Sequence, residues 1–238
     1  MVNTVYWRDQ AKWLSPFHTQ KDIGLHFNLT EGRPLSAEYR KVHGDVFQPL
    51  PIVMLRAFMR LLSQTAIQAE LQAQIDCFQN HLGYLPDHID GHQHVHQFPV
   101  IREAVVNVYK ERFGDKKNSY IRLINDSLQV SDCIRHVKKV IIHATGSHAM
   151  SKLLIANKIP HNPSFAGIYA FGLAKEYPLF FRQFLQRIGD QGLIMCHPGL
   201  SDLKSDTVMA RARYEEYQYL SSGQFSADCE ANGVALSS

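Results

Sequence analysis

Short apolar runs alternate with longer amphipathic stretches along this chain, and that alternation narrows the folds open to it. Asp22–Thr30 (DIGLHFNLT) is apolar, bounded by turn formers, and reads as a buried strand. Glu31–Leu50, with its Gly, Pro and Asp, reads as a loop. Pro51–Leu82 is helical with one break. Its second half carries Leu71, Ile75, Phe78 and Leu82 as an apolar stripe, and Gly83 follows as a stop. Pro86–His96 is a strand running into a loop, Pro99–Phe113 a helix, and Tyr120–Ile124 a strand. Ser131–Ile159 is mostly helical, His161–Gly172 irregular, Glu176–Ile188 a helix, and Gly192–Cys196 a strand. Met209–Ala231 closes the chain as a helix broken near Gly223. Strand and helix in turn favour a parallel sheet wrapped by helices, an α/β fold. No repeat or linker divides the 238 residues, so one domain over 1–238 is the simplest account.

Bulk composition excludes several function classes. A formal net charge of +3 is too small to argue for nucleic acid, and no run of like charges marks a tail. No apolar stretch approaches the ~20 residues that span a bilayer, and Met1–Trp13 has no signal-peptide pattern. The four cysteines are far apart with no C-x-x-C pair, which reads as reduced thiols in a cytoplasmic protein. There is no G-x-S-x-G elbow, Walker A loop, G-x-G-x-x-G fingerprint or H-E-x-x-H.

In parallel α/β folds the working residues stand at the carboxyl ends of strands. Histidines follow apolar runs at three such places: His26, the His92 cluster and His197. Within Asp90-Gly91-His92-Gln93-His94-Val95-His96, residues two apart share a face while the strand lasts. Asp90, His92, His94 and His96 would then lie together. Three imidazoles and a carboxylate suit a divalent metal, although a solvated polar edge would show the same pattern. His26 interrupts an apolar run and reads as a core histidine or as a ligand from a second strand. His197, before Pro198-Gly199, is placed either to exchange a proton or to cap a turn. Arg122 inside an apolar strand needs a partner, whether a catalytic carboxylate, a substrate or a structural counter-ion.

Three segments then resemble the YdjC-like family, which includes chitooligosaccharide and hopanoid-biosynthesis deacetylases. Ile23–Thr30 with Gly32 and Pro34 resembles its GLH-x-x-LT-x-G-x-P segment, and His88–His96 with Pro99 resembles T-H-x-D-S-H-x-H-V-H. Cys196-His197-Pro198-Gly199 resembles its C-terminal HP motif. Glu70–Phe78, Tyr120-Ile121-Arg122, and Arg213 with Glu216 and Leu220 are supporting matches. The resemblance implies a (β/α)-barrel-like deacetylase fold with one divalent metal, Mg²⁺ or Zn²⁺. His26 and His92 would be metal ligands and His197 the general acid. Asp90, His94, His96 and Arg122 would orient the ligands or meet the N-acetylated sugar. The products would be acetate and a free amino sugar.

The chain departs from the family at its start. Family members begin with a strand ending in Asp-Asp-x-Gly, and no Asp-Asp pair occurs here. Asp9 sits in a helical setting and is no substitute. The resemblance thus implies a domain incomplete at its N-terminus, without its first strand and helix, and a start codon assigned too late is the favoured explanation. A missing strand would leave an edge that invites a homodimer. Two other classes compete with the deacetylase: an inactive sugar-binding homologue, and a histidine-rich metal phosphoesterase.

Overall fold

The computed structural model describes residues 1–17, 19–114, 119–125, 146–200 and 207–236. These fall into two compact units. The first takes in the described residues up to 122 together with 146–161, and the second takes in 123–125 and the described residues from 162 onward.

The first unit is built on a parallel sheet of order β1-β2-β3: β1 Leu25–Phe27, β2 His88–Gly91 and β3 Tyr120–Ile121. Its helices are α1 Trp7–Leu14, α2 Ala37–His43, α3 Leu50–Phe58, α4 Gln64–Leu82, α5 Ile101–Phe113 and α6 His148–Ala156. The organising element is α4, which packs on α1, α2, α5 and β1. Ser63 caps its start by accepting from the Ala66 N–H at 3.3 Å, and Gly83 ends it at φ 86°. The predicted stripe is its buried face: Leu71 and Ile75 are fully enclosed, with Phe78 and Leu82 beside them. Burying each such side chain contributes roughly 1.5–3 kcal/mol.

Two buried polar residues of α4 hold the segment that follows β1. Gln74 accepts from the Asn28 N–H at 3.1 Å and donates to the Asn28 carbonyl at 2.8 Å. Glu70, one turn earlier, accepts the Leu35 and Ser36 N–H groups at 3.1 and 2.8 Å. These bonds replace the ladder and helix partners that the backbone lacks at both ends of the loop 28–36.

The second unit pairs β4 Phe165–Ala166 in parallel with β5 Leu193–Ile194. Helices α7 Tyr177–Arg187, α8 Val208–Leu220 and α9 Gly223–Ala231 belong to it. Tyr169, Tyr177, Phe181, Phe184 and Tyr219 form the aromatic part of its core, with Leu185 beside them.

The α/β character holds, and the sheets are parallel. The segment read as loop before Leu50 contains α2, capped by Ser36, whose hydroxyl accepts from the Tyr39 N–H at 3.1 Å. The stretch read as irregular before Gly172 contains β4. Residues 131–145 of the helical reading lie outside the described residues. Among the described residues no helix is long and apolar enough to cross a membrane.

Candidate functional site

Register places the first functional pair. His26 on β1 stands opposite Asp90 on β2, so the two side chains are neighbours on one face. His26 Nδ1 lies 2.7 Å from Asp90 Oδ1. The other carboxylate oxygen, Oδ2, lies 2.5 Å from Nη1 of Arg122, which directly follows β3. The Arg122 N–H donates to the Ile89 carbonyl at 3.0 Å, fixing the arginine's start to β2. One row thus crosses the sheet: imidazole, carboxylate, guanidinium. Burial alone would raise the Asp90 pKa, but Arg122 and the His26 bond outweigh it and hold the carboxyl well below its usual range. Of the three roles open to Arg122, the structure shows it paired with a carboxylate.

The chain then leaves the strand. Strand β2 stops at Gly91, and His92–Gln97 forms a tight turn in which Gln93 and His94 adopt φ 51° and 62°. Left-handed residues end the period of two, so the shared face expected for Asp90, His92, His94 and His96 is not formed. His96 turns into the core, fully buried, and its Nε2–H donates to the Arg122 carbonyl at 2.9 Å. A Cβ on residue 91 would sit 2.6 Å from His96 Nδ1, so glycine is required there for the ring to approach the strand. Burial, reinforced by Arg122, pushes the His96 pKa down to about 4. His88 stacks on Tyr120 with ring centroids 5.0 Å apart, and its ring occupies the space a Cβ on Gly24 would need. His94 is half-buried, and burial followed by Arg122 lowers its basicity strongly.

His92 turns back toward β1. Its Nδ1 lies 3.4 Å from His26 Nε2, and its Nε2 lies 3.0 Å from Glu31 Oε1. Burial lowers the His92 pKa, with Glu31 opposing, so the ring is neutral near pH 7. Each imidazole therefore has a carboxylate on its outer nitrogen, and the two inner nitrogens face one another. The inner nitrogens lie within hydrogen-bond reach of each other, and protons on both outer nitrogens would leave both inner ones with lone pairs. Two nitrogens bonded to one tetrahedral ion at ~2.0–2.1 Å lie about 3.3 Å apart, and the observed separation matches that edge. The donor set fits a divalent cation at two positions. Among the described residues no three His, Cys, Asp or Glu side chains are grouped to hold an ion by themselves, so the pair forms one edge of a coordination shell.

His197 lies in the second unit and is described by itself. Its backbone N–H donates to Glu216 Oε2, and the Tyr169 hydroxyl donates to Glu216 Oε1 at 2.6 Å. The ring meets Phe171 edge-on, with centroids 6.0 Å apart. The Gly199 N–H donates to the Arg213 carbonyl at 2.9 Å, securing the turn after His197 to α8. Burial is the main influence that raises the Glu216 pKa.

The structure thus gathers His26, Asp90, His92 and Arg122, with His94 and His96 in the same unit. Glu31 is the site residue that the sequence reading missed. Its signal was Asn28: the Asn28 side-chain oxygen accepts the Thr30 and Glu31 N–H groups at 3.0 and 3.1 Å, folding Glu31 back toward the strand ends.

The fold and site define an α/β protein with paired histidine–carboxylate units where two parallel strands end. The chain belongs to the YdjC-like protein family, whose model matches residues 1–231. It is 35% identical over 118 residues to the carbohydrate deacetylase of Danio rerio, covering 48% of this chain and 37% of that protein. To the carbohydrate deacetylase of Xenopus laevis it is 37% identical over 94 residues, 37% of this chain and 30% of that one. The chitooligosaccharide deacetylase of Yersinia pestis (strain Pestoides F) is 28% identical over 208 residues, 85% of this chain and 70% of the relative. The match with the two vertebrate relatives thus spans about a third of their length. A solved structure from Enterococcus faecalis V583, described as a candidate cellobiose-phosphate cleavage protein, superposes with TM-score 0.72. It has 18% identity and covers 100% of this chain and 84% of that one, a likeness of fold.

Proposed function

We propose that the chain is a metal-dependent deacetylase that removes N-acetyl groups from amino sugars or chitooligosaccharides. One observation carries the reading: His26 and His92 present inner nitrogens 3.4 Å apart, each backed by a carboxylate. Family membership and the names of the relatives supply the reaction class. His26 and His92 would hold Mg²⁺ or Zn²⁺, which supplies Lewis acidity toward an acetyl carbonyl and toward water. Imidazole ligands favour Zn²⁺ of the two. Asp90 keeps the proton on His26 Nδ1 and so turns Nε2 inward, while Arg122 holds Asp90 ionised and in place. His197 is the proposed proton donor to the departing amine. Water adds to the acetyl carbon, the C–N bond breaks, and the nitrogen leaves protonated as the free amino sugar beside acetate. A barrel-like closure of the parallel strands belongs to the same reading.

Acetate release from an N-acetylated chitooligosaccharide, with Zn²⁺ or Mg²⁺ added, tests it. Turnover is expected in the wild type and lost in His26→Ala and His92→Ala. His197→Ala is expected to slow it by roughly 10²–10⁴. A folded chain that binds the oligosaccharide without releasing acetate would point to the sugar-binding alternative. Phosphate-ester turnover exceeding acetate release would point to a phosphoesterase.

A further inference from the structure

We infer that Glu31 is a positioning residue for the proposed metal site: its carboxylate beside Nε2 of His92 favours the proton on that nitrogen and so leaves the Nδ1 lone pair to face His26. The inference rests on the reading of His26 and His92 as ligands. It concerns a residue that the sequence motifs leave undetermined, since Glu31 occupies a variable position of the GLH-x-x-LT-x-G-x-P pattern.

Three observations carry it. The first is distance: Glu31 Oε1 lies 3.0 Å from His92 Nε2, on the side of the ring opposite His26. The second is the backbone beneath the carboxylate. The Glu31 N–H donates to Asn28 Oδ1 at 3.1 Å, and the Glu31 carbonyl accepts from Asn28 Nδ2 at 2.7 Å. Both peptide groups of Glu31 are thus held by one side chain, and the Asn28 backbone is held in turn by Gln74. The carboxylate is 56% exposed, yet it springs from a fixed point. The third is symmetry of chemistry. Glu31 Oε1 stands 3.0 Å from the outer nitrogen of His92, as Asp90 Oδ1 stands 2.7 Å from that of His26, so each imidazole has a carboxylate on its outer side. A ligating histidine whose outer N–H is held this way is oriented and made more basic toward a metal.

The test uses the whole chain, with Zn²⁺ affinity by calorimetry and histidine-ring ¹⁵N NMR on the metal-free protein. Glu31→Ala is expected to weaken Zn²⁺ binding about 10–100-fold. It should also abolish the observable His92 ring N–H signal, which persists only while its proton is held. Glu31→Gln keeps an acceptor oxygen without the charge, so it should retain the ring signal and recover part of the affinity. His92→Ala is expected to lose the ion. Circular dichroism confirms that each variant is folded. If Glu31→Ala binds Zn²⁺ like the wild type and keeps the ring signal while His92→Ala does not bind, the inference is overturned and the ligand reading stands. If the folded wild type binds no Zn²⁺, the ligand reading falls and takes this inference with it.

Discussion

Asp90 and Glu216 are both buried carboxylates, one in each unit, and their surroundings drive them in opposite directions. Asp90 is bonded to a guanidinium and an imidazole, which hold it ionised against the penalty of burial. Glu216 is bonded to neutral donors, the Tyr169 hydroxyl and the His197 peptide N–H, with Arg213 the weakest influence on it. Burial therefore prevails at Glu216 and raises its pKa. The comparison teaches that burial alone does not set the charge of a carboxylate; it prevails where the bonded partners are neutral and is overridden where they are cationic. The first is a fixed charge that aims a ring. The second is a brace for the backbone of a strand end.

The largest expected effect is at the ion pair. Asp90→Asn leaves Arg122 buried without its counter-charge and should cost about 3–5 kcal/mol in urea denaturation at pH 7. Adding Arg122→Met to that variant should recover much of the loss, because no uncompensated charge remains. An Asp90→Asn cost no larger than that of Glu216→Gln would break the comparison.

Arg122 also sharpens it from the basic side, since the charge that keeps Asp90 ionised helps keep His96 neutral. A folded pKa of about 4 against 6.5 means the unfolded chain takes up the His96 proton first as pH falls. Stability from this group is complete above pH 6.5 and drains away down to pH 4, by about 3 kcal/mol in all. Denaturation midpoints across that window should show the slope, and His96→Gln should flatten it.

Glu216→Gln should give the smallest change, about 1 kcal/mol, since one neutral bond is remade poorly. Its pH signature carries the sign of the contrast. Because the folded pKa of Glu216 is raised, its contribution is full below the ordinary value of 4.5 and is lost as pH climbs through the folded value. Asp90, held low, contributes above its ordinary 3.8 and loses that contribution as pH falls. Opposite slopes, each removed by its own substitution in a stability–pH series, would establish the distinction.

Much of this was legible residue by residue, and the failures share a cause. The stripe of α4, its stop at Gly83, the break between α3 and α4 and the break between α8 and α9 are local patterns, and they read correctly. Helix α2 was hidden by the Gly, Pro and Asp around it, because its start depends on Glu70, 34 residues from Ser36. Strand β4 is two residues long, too short to show a period. His26 and Asp90 could be singled out as polar groups near strand ends, but the bond between them depends on the β1–β2 register, which joins residues 64 apart. The sequence reading ran the strand into a loop before His96, but nothing in it marked Gln93 and His94 as a left-handed pair that ends the shared face.

The two clamps on α4 have a consequence for how such a chain can change over time. Glu70 and Gln74 stand one helical turn apart and grip the loop at Asn28 and at Leu35–Ser36 through its peptide groups alone. Neither grip depends on which side chains the loop carries between them. Gly32, held at φ 77°, is fixed by its own backbone, but Glu31 can therefore be exchanged while both moorings stay in place, and mutation can rewrite what stands over His92 without renegotiating the fold beneath it.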